Sequence, residues 1–573
     1  MLSIKQDYQN IADIYNNKSV LFDGSTMIDQ IINNIQTSNI LDTFVGMLHL
    51  SSKRVYTTGK SGIIRKEFTS FFKCLSTILV KTKKTTSSPD ICAIVKVDYI
   101  ENNIIYCNVL EYIGEIDDPS IDMFLLKSLS TCHWNKKLDK SCNLLYDLDL
   151  TPERTNLTSI EIYSIDPIGC EDIDDALHCI ETDYGYEVGI HIADVSSFIT
   201  EDNDFDKELS KRIETIYFNY TGLSQINMIP SNLSITHMSL KEGNLKRSFS
   251  IILKINQLFE VIDVEFKKSN IIVQQNLSYN ECETMIGINI TLTNLYNLGI
   301  NLKNNIIDAF PSYEIYDTHQ MVAVYMIYAN KYVAEHIVKY TKDTVILRTQ
   351  NLIHHNKDIL SESYLITKDI SSELLKKYNL SNYERAYYKI GSTESYHMGM
   401  NLEYYTHFTS PIRRYVDILV HRQLWKTLIG ETVRIPNSNI IYSINIYSRL
   451  YKQIQRYSHL LEVIKNINND IIDIFASIIS IRNNTNSIRI YIPDYDMECD
   501  IILFNKKLKH LVETIHDDDT LSIKNCITEK DIIFQLFQKI KIRIAITRKS
   551  LEKINISIIE PNLLFFLSEN LSY

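Results

Sequence analysis

S-I-D-P-I-G-C-E-D-I-D-D-A-L, residues 164–177, places four aspartates, Asp166, Asp172, Asp174 and Asp175, in one short turn-prone segment. Pro167 and Gly169 break regular structure directly after the first of them. Residues 162–165 before the stretch and 176–180 after it are apolar enough for strands or buried edges. The carboxylates are therefore expected on a loop fixed at both ends by core. Packing four like charges so closely is costly without cations between them. Hard oxygen ligands on a turn suit Mg²⁺ or Mn²⁺, and a pair of such ions is the usual apparatus for hydrolysing a phosphodiester. The bland alternatives are a solvated acidic loop and a calcium loop. D-I-D-D-A does not supply the D-x-[DN]-x-[DN]-G spacing and later Glu of an EF-hand.

A chain of 573 residues is too long for one ordinary core, so several domains are expected. Its 45% hydrophobic and 23% charged residues are those of a globular protein. The net charge of −11 argues against indiscriminate nucleic-acid binding through overall charge, but leaves room for a local basic channel. Ten scattered cysteines without a C-x-x-C pair read as reduced thiols of an intracellular protein, cytoplasmic or nuclear. The first residues lack the pattern of a signal peptide, and no apolar run is long enough to span a bilayer.

Residues 1–40 are polar and helix-compatible. From 42 to 115, short β-type runs at 43–50, 77–81, 91–97 and 104–110 alternate with polar turns, which suggests one or two small barrels. Lys81, Lys83 and Lys84 read either as a solvated loop or as phosphate contacts. Residues 117–149 look like a connector. From 150 to 475 strands and helices mix, with a strand at 186–195 and long helices at 314–337 and 440–472. Beyond 471 strands return. I-R-I-Y-I at 488–492 is ended by Pro493, and I-K-I-R-I-A-I at 540–546 alternates with Lys541 and Arg543 on one face. A barrel with a basic face, of the kind that carries single strands, and a plain solvated strand fit equally well.

A second unusual stretch is Y-Y-T-H-F-T-S-P-I-R-R-Y-V-D at 404–417. Pro411 forces an extended approach, and the apolar spacing after it favours a helix capped by Thr409 or Ser410. Arg413 and Arg414 would then stand in a first turn that disfavours cations, so either an anion such as phosphate is expected there or an internal pair with Asp417 or Glu403.

I-D-P-I-G-C-E-D-I-D-D-A-L-H-C at 165–179, G-I-H-I-A-D-V-S-S-F-I at 189–199 and Y-T-H-F-T-S-P-I-R-R-Y-V-D-I-L-V-H-R at 405–422 together resemble the ribonuclease II/ribonuclease R family. The wording of the first is closest to the family's exosome nuclease subunits. Weaker echoes follow in family order at Arg212 and Tyr217, at 228–234, at Ser239 and Leu240, at 277–279 and at 326–330. The resemblance implies an α+β multidomain chain. A central mixed α/β RNB catalytic domain at 146–474 would be flanked by small OB-type β-barrels, a cold-shock-like region at 1–145 and an RNA-binding barrel at 475–573. It also implies a processive 3′→5′ exoribonuclease that hydrolyses single-stranded RNA to nucleoside 5′-monophosphates. Asp166, Asp172, Asp174 and Asp175 match the family's four catalytic aspartates, which hold two Mg²⁺, with Mn²⁺ as a substitute. Arg413 matches the arginine at the scissile phosphate. Tyr217 and Tyr279 match aromatics at the 3′ end of the RNA, with Arg414 and His407 as further RNA contacts. The alternative is an RNA-binding or regulatory protein that keeps the fold and has lost catalysis.

Two departures stand out. Where the family has a Glu pair before M-I-x-A-N, this chain has Ala323 and Val324, and the segment at 285–320 is short. A second base-stacking aromatic is missing unless Phe310 replaces it, so a looser hold on the last nucleotides is expected.

Overall fold

The computed structural model describes residues 153–306, 316–352, 370–381, 383–467, 471–482, 487–503, 512–516, 520–526, 529–546 and 554–561, together with strands between 43 and 115. The readings for residues 1–40, Lys83, Lys84, 117–149 and Phe310 lie outside the described residues.

Five strands, β1 (Thr43–His49), β2 (Arg54–Tyr56), β3 (Thr77–Lys81), β4 (Asp90–Glu101) and β5 (Ile104–Glu115), close into a barrel in the order β1-β2-β3-β5-β4. The β-type runs expected at 77–81, 91–97 and 104–110 fall on β3, β4 and β5, and residues 43–49 of the first run form β1. The β4–β5 pair carries three register shifts. Such bulges add the twist that long strands need to coil and close.

The centre is a seven-stranded sheet in the order β12-β7-β8-β9-β10-β11-β6. Its members are β6 (Thr155–Asn156), β7 (Tyr163–Asp166), β8 (Asp175–Thr182), β9 (Gly185–Ala193), β10 (Leu245–Asn256), β11 (Val261–Ile272) and β12 (Gln275–Ser278). Pairing is antiparallel except at the two edges, where β12 runs parallel to β7 and β6 parallel to β11. The middle strands β9 and β10 and the first half of β8 are buried on both faces, polar residues such as His178, His191, Ser248 and Ser250 included. Helices α1 (Asp204–Arg212), α2 (Tyr279–Met285), α3 (Ile290–Asn304), α4 (Thr318–Tyr340), α6 (Tyr415–Leu428) and α7 (Ser438–Asn466) belong to the same region, and α5 (Ser372–Ser381) packs on the C-terminal strands.

Helix α4 is the central one. It is apolar almost all round, burying Met321, Val324, Tyr325, Tyr328, Val333 and Ile337 among others. The hydroxyls of Tyr325 and Tyr328 donate to the Leu295 and Leu302 carbonyls of α3, which gives two buried phenols their partners. The helix starts at Thr318, not at 314, because Asp317 caps it by accepting from the Gln320 N–H at 2.9 Å. The long helix expected at 440–472 stops at Asn466. Strand β15 (Ile471–Arg482) claims the isoleucine-rich residues beyond it, where alternate side chains enter a β core.

β13 (Ile346–Thr349) pairs with β14 (Tyr387–Ile390); β15 joins β16 (Ser487–Ile492), β17 (Met497–Ile502), β21 (Lys539–Ile546) and β22 (Ile554–Glu560) in one sheet, while β18 (Val512–His516), β19 (Thr520–Asn525) and β20 (Asp531–Gln535) form another. Both sheets feed one apolar core of Ile478, Ile490, Leu521, Phe534 and Ile542 and their neighbours. The basic face considered for β21 is largely cancelled. Arg543 holds both oxygens of Asp473 at 2.7 and 2.9 Å, and Lys541 lies 3.8 Å from Glu560. Cross-strand pairing supplies the missing counter-charges, which a reading of one strand cannot see.

One close approach within the sheet is testable. Gly189 on β9 lies opposite His178, and that ring occupies the place of a β-carbon while bonding His191 at 2.8 Å. Gly189→Ala is expected to destabilise the chain by about 2–3 kcal/mol. Urea unfolding with an unchanged midpoint would contradict this packing.

Candidate active site

β7 delivers Asp166 at its C-terminal end, and β8 begins with Asp175. The intervening loop is closed by a turn in which the Cys170 N–H donates to the Pro167 carbonyl, with Gly169 at φ +81°. Ser239 then fastens it. Its hydroxyl accepts from the Ile173 N–H at 3.0 Å and donates to the Glu171 carbonyl at 2.8 Å. Ile173 is buried beneath, and the Asp174 carbonyl accepts from Ala193 of β9. The loop is thus fixed at both ends by core, as the sequence led us to expect, although only Asp172 and Asp174 lie on it, while Asp166 ends β7 and Asp175 begins β8.

The second stretch meets the first at Asp174. Oδ1 of Asp174 accepts the Ile412 N–H at 2.9 Å, and Oδ2 lies 3.4 Å from Nε of Arg413. Arg413 is steadied by Ser410, whose hydroxyl accepts from the guanidinium at 2.9 Å, and it stays 42% exposed. The T-S-P-I-R-R segment is placed from both sides. The Thr215 N–H donates to the Arg413 carbonyl and the Tyr415 N–H to the Ile213 carbonyl. Asn330 of α4 accepts from the Phe408 N–H at 2.8 Å and donates to the Tyr405 hydroxyl at 3.1 Å. Tyr217 follows the 213–215 segment, and its hydroxyl donates to Asp172 at 3.1 Å. Tyr279 comes directly after Ser278, the register partner of Asp166.

The expected cap is not there. Helix α6 begins at Tyr415 with Arg414 as its cap residue, and neither Thr409 nor Ser410 caps it. Pro411 holds residues 411–413 in a turn. Asp417 in the first helical turn folds back instead, accepting from the Ser410 N–H and from Arg414, both at 2.8 Å. Of the two readings of the arginine pair, the internal ion pair therefore describes Arg414, while Arg413 remains turned to the aspartates. His407 contacts Arg414 at 3.1 Å and the Tyr388 hydroxyl.

Burial pushes the Asp166 carboxyl up to about 6, with the Asp172 charge adding to it, although a hydrogen bond from Ser164 opposes. Burial pushes Asp174 up to about 8 in spite of Arg413 and the Ile412 N–H, and Asp175 rises well above the carboxylate range by burial and the charges of Asp166 and Asp174. Oδ2 of Asp166 and Oδ2 of Asp174 are buried without a hydrogen-bond partner. Among the described residues no three acidic, histidine or cysteine side chains are already gathered into a closed cation cage. The donor chemistry nonetheless suits a hard divalent cation: oxygen atoms only at the unpaired positions, on a firm loop, carrying charge that burial alone does not stabilise.

Behind Arg413 opens a cavity of about 280 Å³. Arg348, Arg385, Arg413, Arg414, Arg449 and Lys452 line it against a single carboxylate, Glu214. Burial and then the neighbouring cations Arg456 and Arg449 make Arg385 a weaker base, and burial and Arg348 do the same to Lys452. These groups repel one another and await an anion. The sequence reading missed Arg348, Arg385, Arg449 and Lys452. A signal existed for part of the set, because Arg449, Lys452 and Arg456 recur at i, i+3 and i+7 on α7. Arg348 and Arg385 come from separate segments and carry no such pattern.

The result is a sheet-and-helix body in which an aspartate loop faces an arginine-lined cleft. The RNB domain profile matches residues 154–294 and 288–430. The chain is 30% identical over 479 residues to the exosome complex exonuclease RRP44 of Homo sapiens, covering 72% of this chain and 49% of that one. It is 26% identical to the probable exosome complex exonuclease RRP44 of Caenorhabditis elegans, over 71% and 48%. The chain thus spans about half the length of these curated relatives. Among solved structures, Mycoplasma genitalium RNase R in complex with ribose methylated single-stranded RNA superposes with a TM-score of 0.65 at 16% identity, covering 84% of this chain and 85% of that one. Yeast Ssd1, a pseudonuclease, superposes with 0.68 at 14%, covering 90% and 82%. The chain belongs to the RNB-domain family of ribonuclease II and ribonuclease R.

Because Asp166, Asp174 and Asp175 hold protons more tightly folded than unfolded, the folded chain carries extra protons from about pH 4 to about pH 8, and stability falls as pH rises through that window. Melting temperature in EDTA is expected to drop across it, and Mg²⁺ to restore it most at the alkaline end. Asp174→Asn should recover about 1–3 kcal/mol at high pH without Mg²⁺. A flat melting profile that Mg²⁺ leaves unmoved would count against the cation site.

Proposed function

We propose that the chain is a metal-dependent 3′→5′ exoribonuclease that hydrolyses single-stranded RNA to nucleoside 5′-monophosphates. One observation carries the reading: the buried aspartate loop and the arginine-lined cavity meet where Arg413 reaches Asp174. Carboxylates that want cations and cations that want an anion are what a phosphodiester and its metals bring. Direction, processivity and product follow the family resemblance, and the exonuclease names of the curated relatives agree with it. The domain limits 1–145, 146–474 and 475–573 belong to the same proposal.

Asp166, Asp172, Asp174 and Asp175 would hold the cations, proposed as two Mg²⁺. When bound, they supply charge neutralisation and a water acidified for attack. The protein's own groups do the rest. Arg413, fixed by Ser410 and Asp174 yet still exposed, meets the scissile phosphate with its remaining N–H groups. Tyr217 holds Asp172 by its hydroxyl and presents its ring toward the cavity. Water oxygen joins the phosphorus, the bond to the upstream 3′-oxygen breaks, and that oxygen takes a proton. The arginines and Lys452 accommodate upstream phosphates without reading sequence. Arg414 and His407 act from the cavity wall, the first through the charge it shares with Asp417.

The pseudonuclease title of one structural neighbour favours a second reading, RNA binding without hydrolysis. The intact aspartates and Arg413 weigh against it.

Asp174→Asn is expected to abolish hydrolysis of end-labelled RNA in Mg²⁺ while leaving binding largely intact. Cleavage by that variant at the wild-type rate would refute the assignment. Arg413→Lys should lower turnover by on the order of 10²-fold and affinity far less, since an ammonium cannot hold two oxygens in one plane. Equal losses would move Arg413 into ground-state binding. Arg449→Ala with Lys452→Ala should weaken single-strand binding and flatten its salt dependence by about 1.4 in slope. An unchanged slope would place the strand elsewhere.

A further inference from the structure

We propose that His319 is the platform on which the 3′-terminal base of the RNA stacks. The inference rests on the exonuclease reading and deepens it by naming a group that grips the end of the substrate.

The placement starts from Tyr279. Ser278 is the register partner of Asp166, so Tyr279, the next residue and the first of α2, sits beside the carboxylate loop. Burial, then the charges of Asp175 and Asp166, push its phenol up to about 12, which agrees with a ring at their edge. His319 in the first turn of α4 lies flat on that ring, with centroids 3.6 Å apart and planes inclined by 17°. Its neighbour Thr318 donates to the Tyr279 carbonyl at 3.2 Å, tying the helix start to the stack. Asp317, which caps α4, stands 3.6 Å from Nδ1 of His319. The imidazole is therefore oriented from one face and one edge, yet its side chain is 61% exposed.

An exposed aromatic ring held in one orientation is what stacking on a base requires. A ring already oriented loses little entropy on binding, and every base offers a π-face, so the grip ignores sequence. A purely structural role fits the position poorly. A solvent-facing imidazole adds little to the core.

The test is kcat/KM of the full chain in Mg²⁺ on two 5′-labelled RNAs, one intact and one lacking only its 3′-terminal base. His319→Ala and His319→Phe are compared with wild type, with melting curves as a folding control. His319→Ala should lose about 5- to 150-fold on intact RNA, the worth of one stack. Removing the terminal base should cost wild type a similar factor. The two losses should not add, and His319→Phe should stay close to wild type on intact RNA. A His319→Ala variant that keeps wild-type kcat/KM on intact RNA, or loses as much on the baseless RNA as on the intact one, would overturn the inference and leave the exonuclease reading standing. Failure of wild type to hydrolyse either RNA would overturn that reading and the inference with it.

Discussion

The hydrogen bond from the Ile412 N–H to Asp174 joins segments 238 residues apart, and the site depends on it. An aspartate buried on a loop among three other aspartates has no reason to be there unless something answers its charge. Here a backbone N–H and the edge of Arg413 answer part of it, at the one place where the aspartate loop and the T-S-P-I-R-R segment touch. Burial still wins in the absence of cations, which is why the acidity of Asp174 remains suppressed. A site left in electrostatic deficit is unstable alone and receptive to cations. The surrounding hydrogen bonds from Ser239, Asn330 and the 213–215 segment keep the carboxylates from relaxing outward into water.

Most of the site was legible because its residues are neighbours in the chain. Four aspartates in ten residues announce themselves, and Pro167, Gly169 and Pro411 mark where the backbone must turn. The strands next to them were legible too, at 162–165, 176–180 and 186–195, whereas β10, with Lys246, Arg247, Ser248 and Ser250 in its first half, was not read as one. The expected cap at Thr409 or Ser410 failed for a tertiary reason. The helix starts only at Tyr415, beyond reach of either hydroxyl as its cap residue; the Ser410 hydroxyl accepts from Arg413 instead, and the Ser410 N–H and Arg414 both donate to Asp417. The basic cavity was not legible as a whole, because it is assembled from β13 (Ile346–Thr349), the 383–388 region, the T-S-P-I-R-R segment and α7. Only the α7 portion has a spacing that could have been read.

The Ala323 and Val324 departures have a packing explanation. Val324 is fully buried and Ala323 packs half-buried against the same core, in a helix whose neighbours α3 and α6 press on it from two sides. A carboxylate at position 324 would need a partner that this core does not offer. Positions 323 and 324 therefore serve packing, and the polar groups of α4 nearest Tyr279 lie at its N-terminus. Asp317, Thr318 and His319 lie there, tied to Tyr279.

A net charge of −11 looks ill suited to a polyanionic substrate, yet charge location matters more than charge sum. Much of the acidity is matched locally: Asp473 by Arg543, Asp500 by Arg482 and Arg489, Glu265 by Lys254 and Lys267. What remains at the outer surface is screened over about 8 Å at physiological salt. Inside the cleft, walls of low dielectric strengthen Arg348, Arg385, Arg449 and Lys452, which face Glu214 as the one carboxylate of the lining, while Arg413 and Arg414 are already met by Asp174 and Asp417. The aspartates next to them do not repel a phosphate in the same measure, because their charge is partly protonated or met by cations. The acidic protein can therefore present a basic path that ends at a carboxylate site, with Arg413 at the boundary between the two.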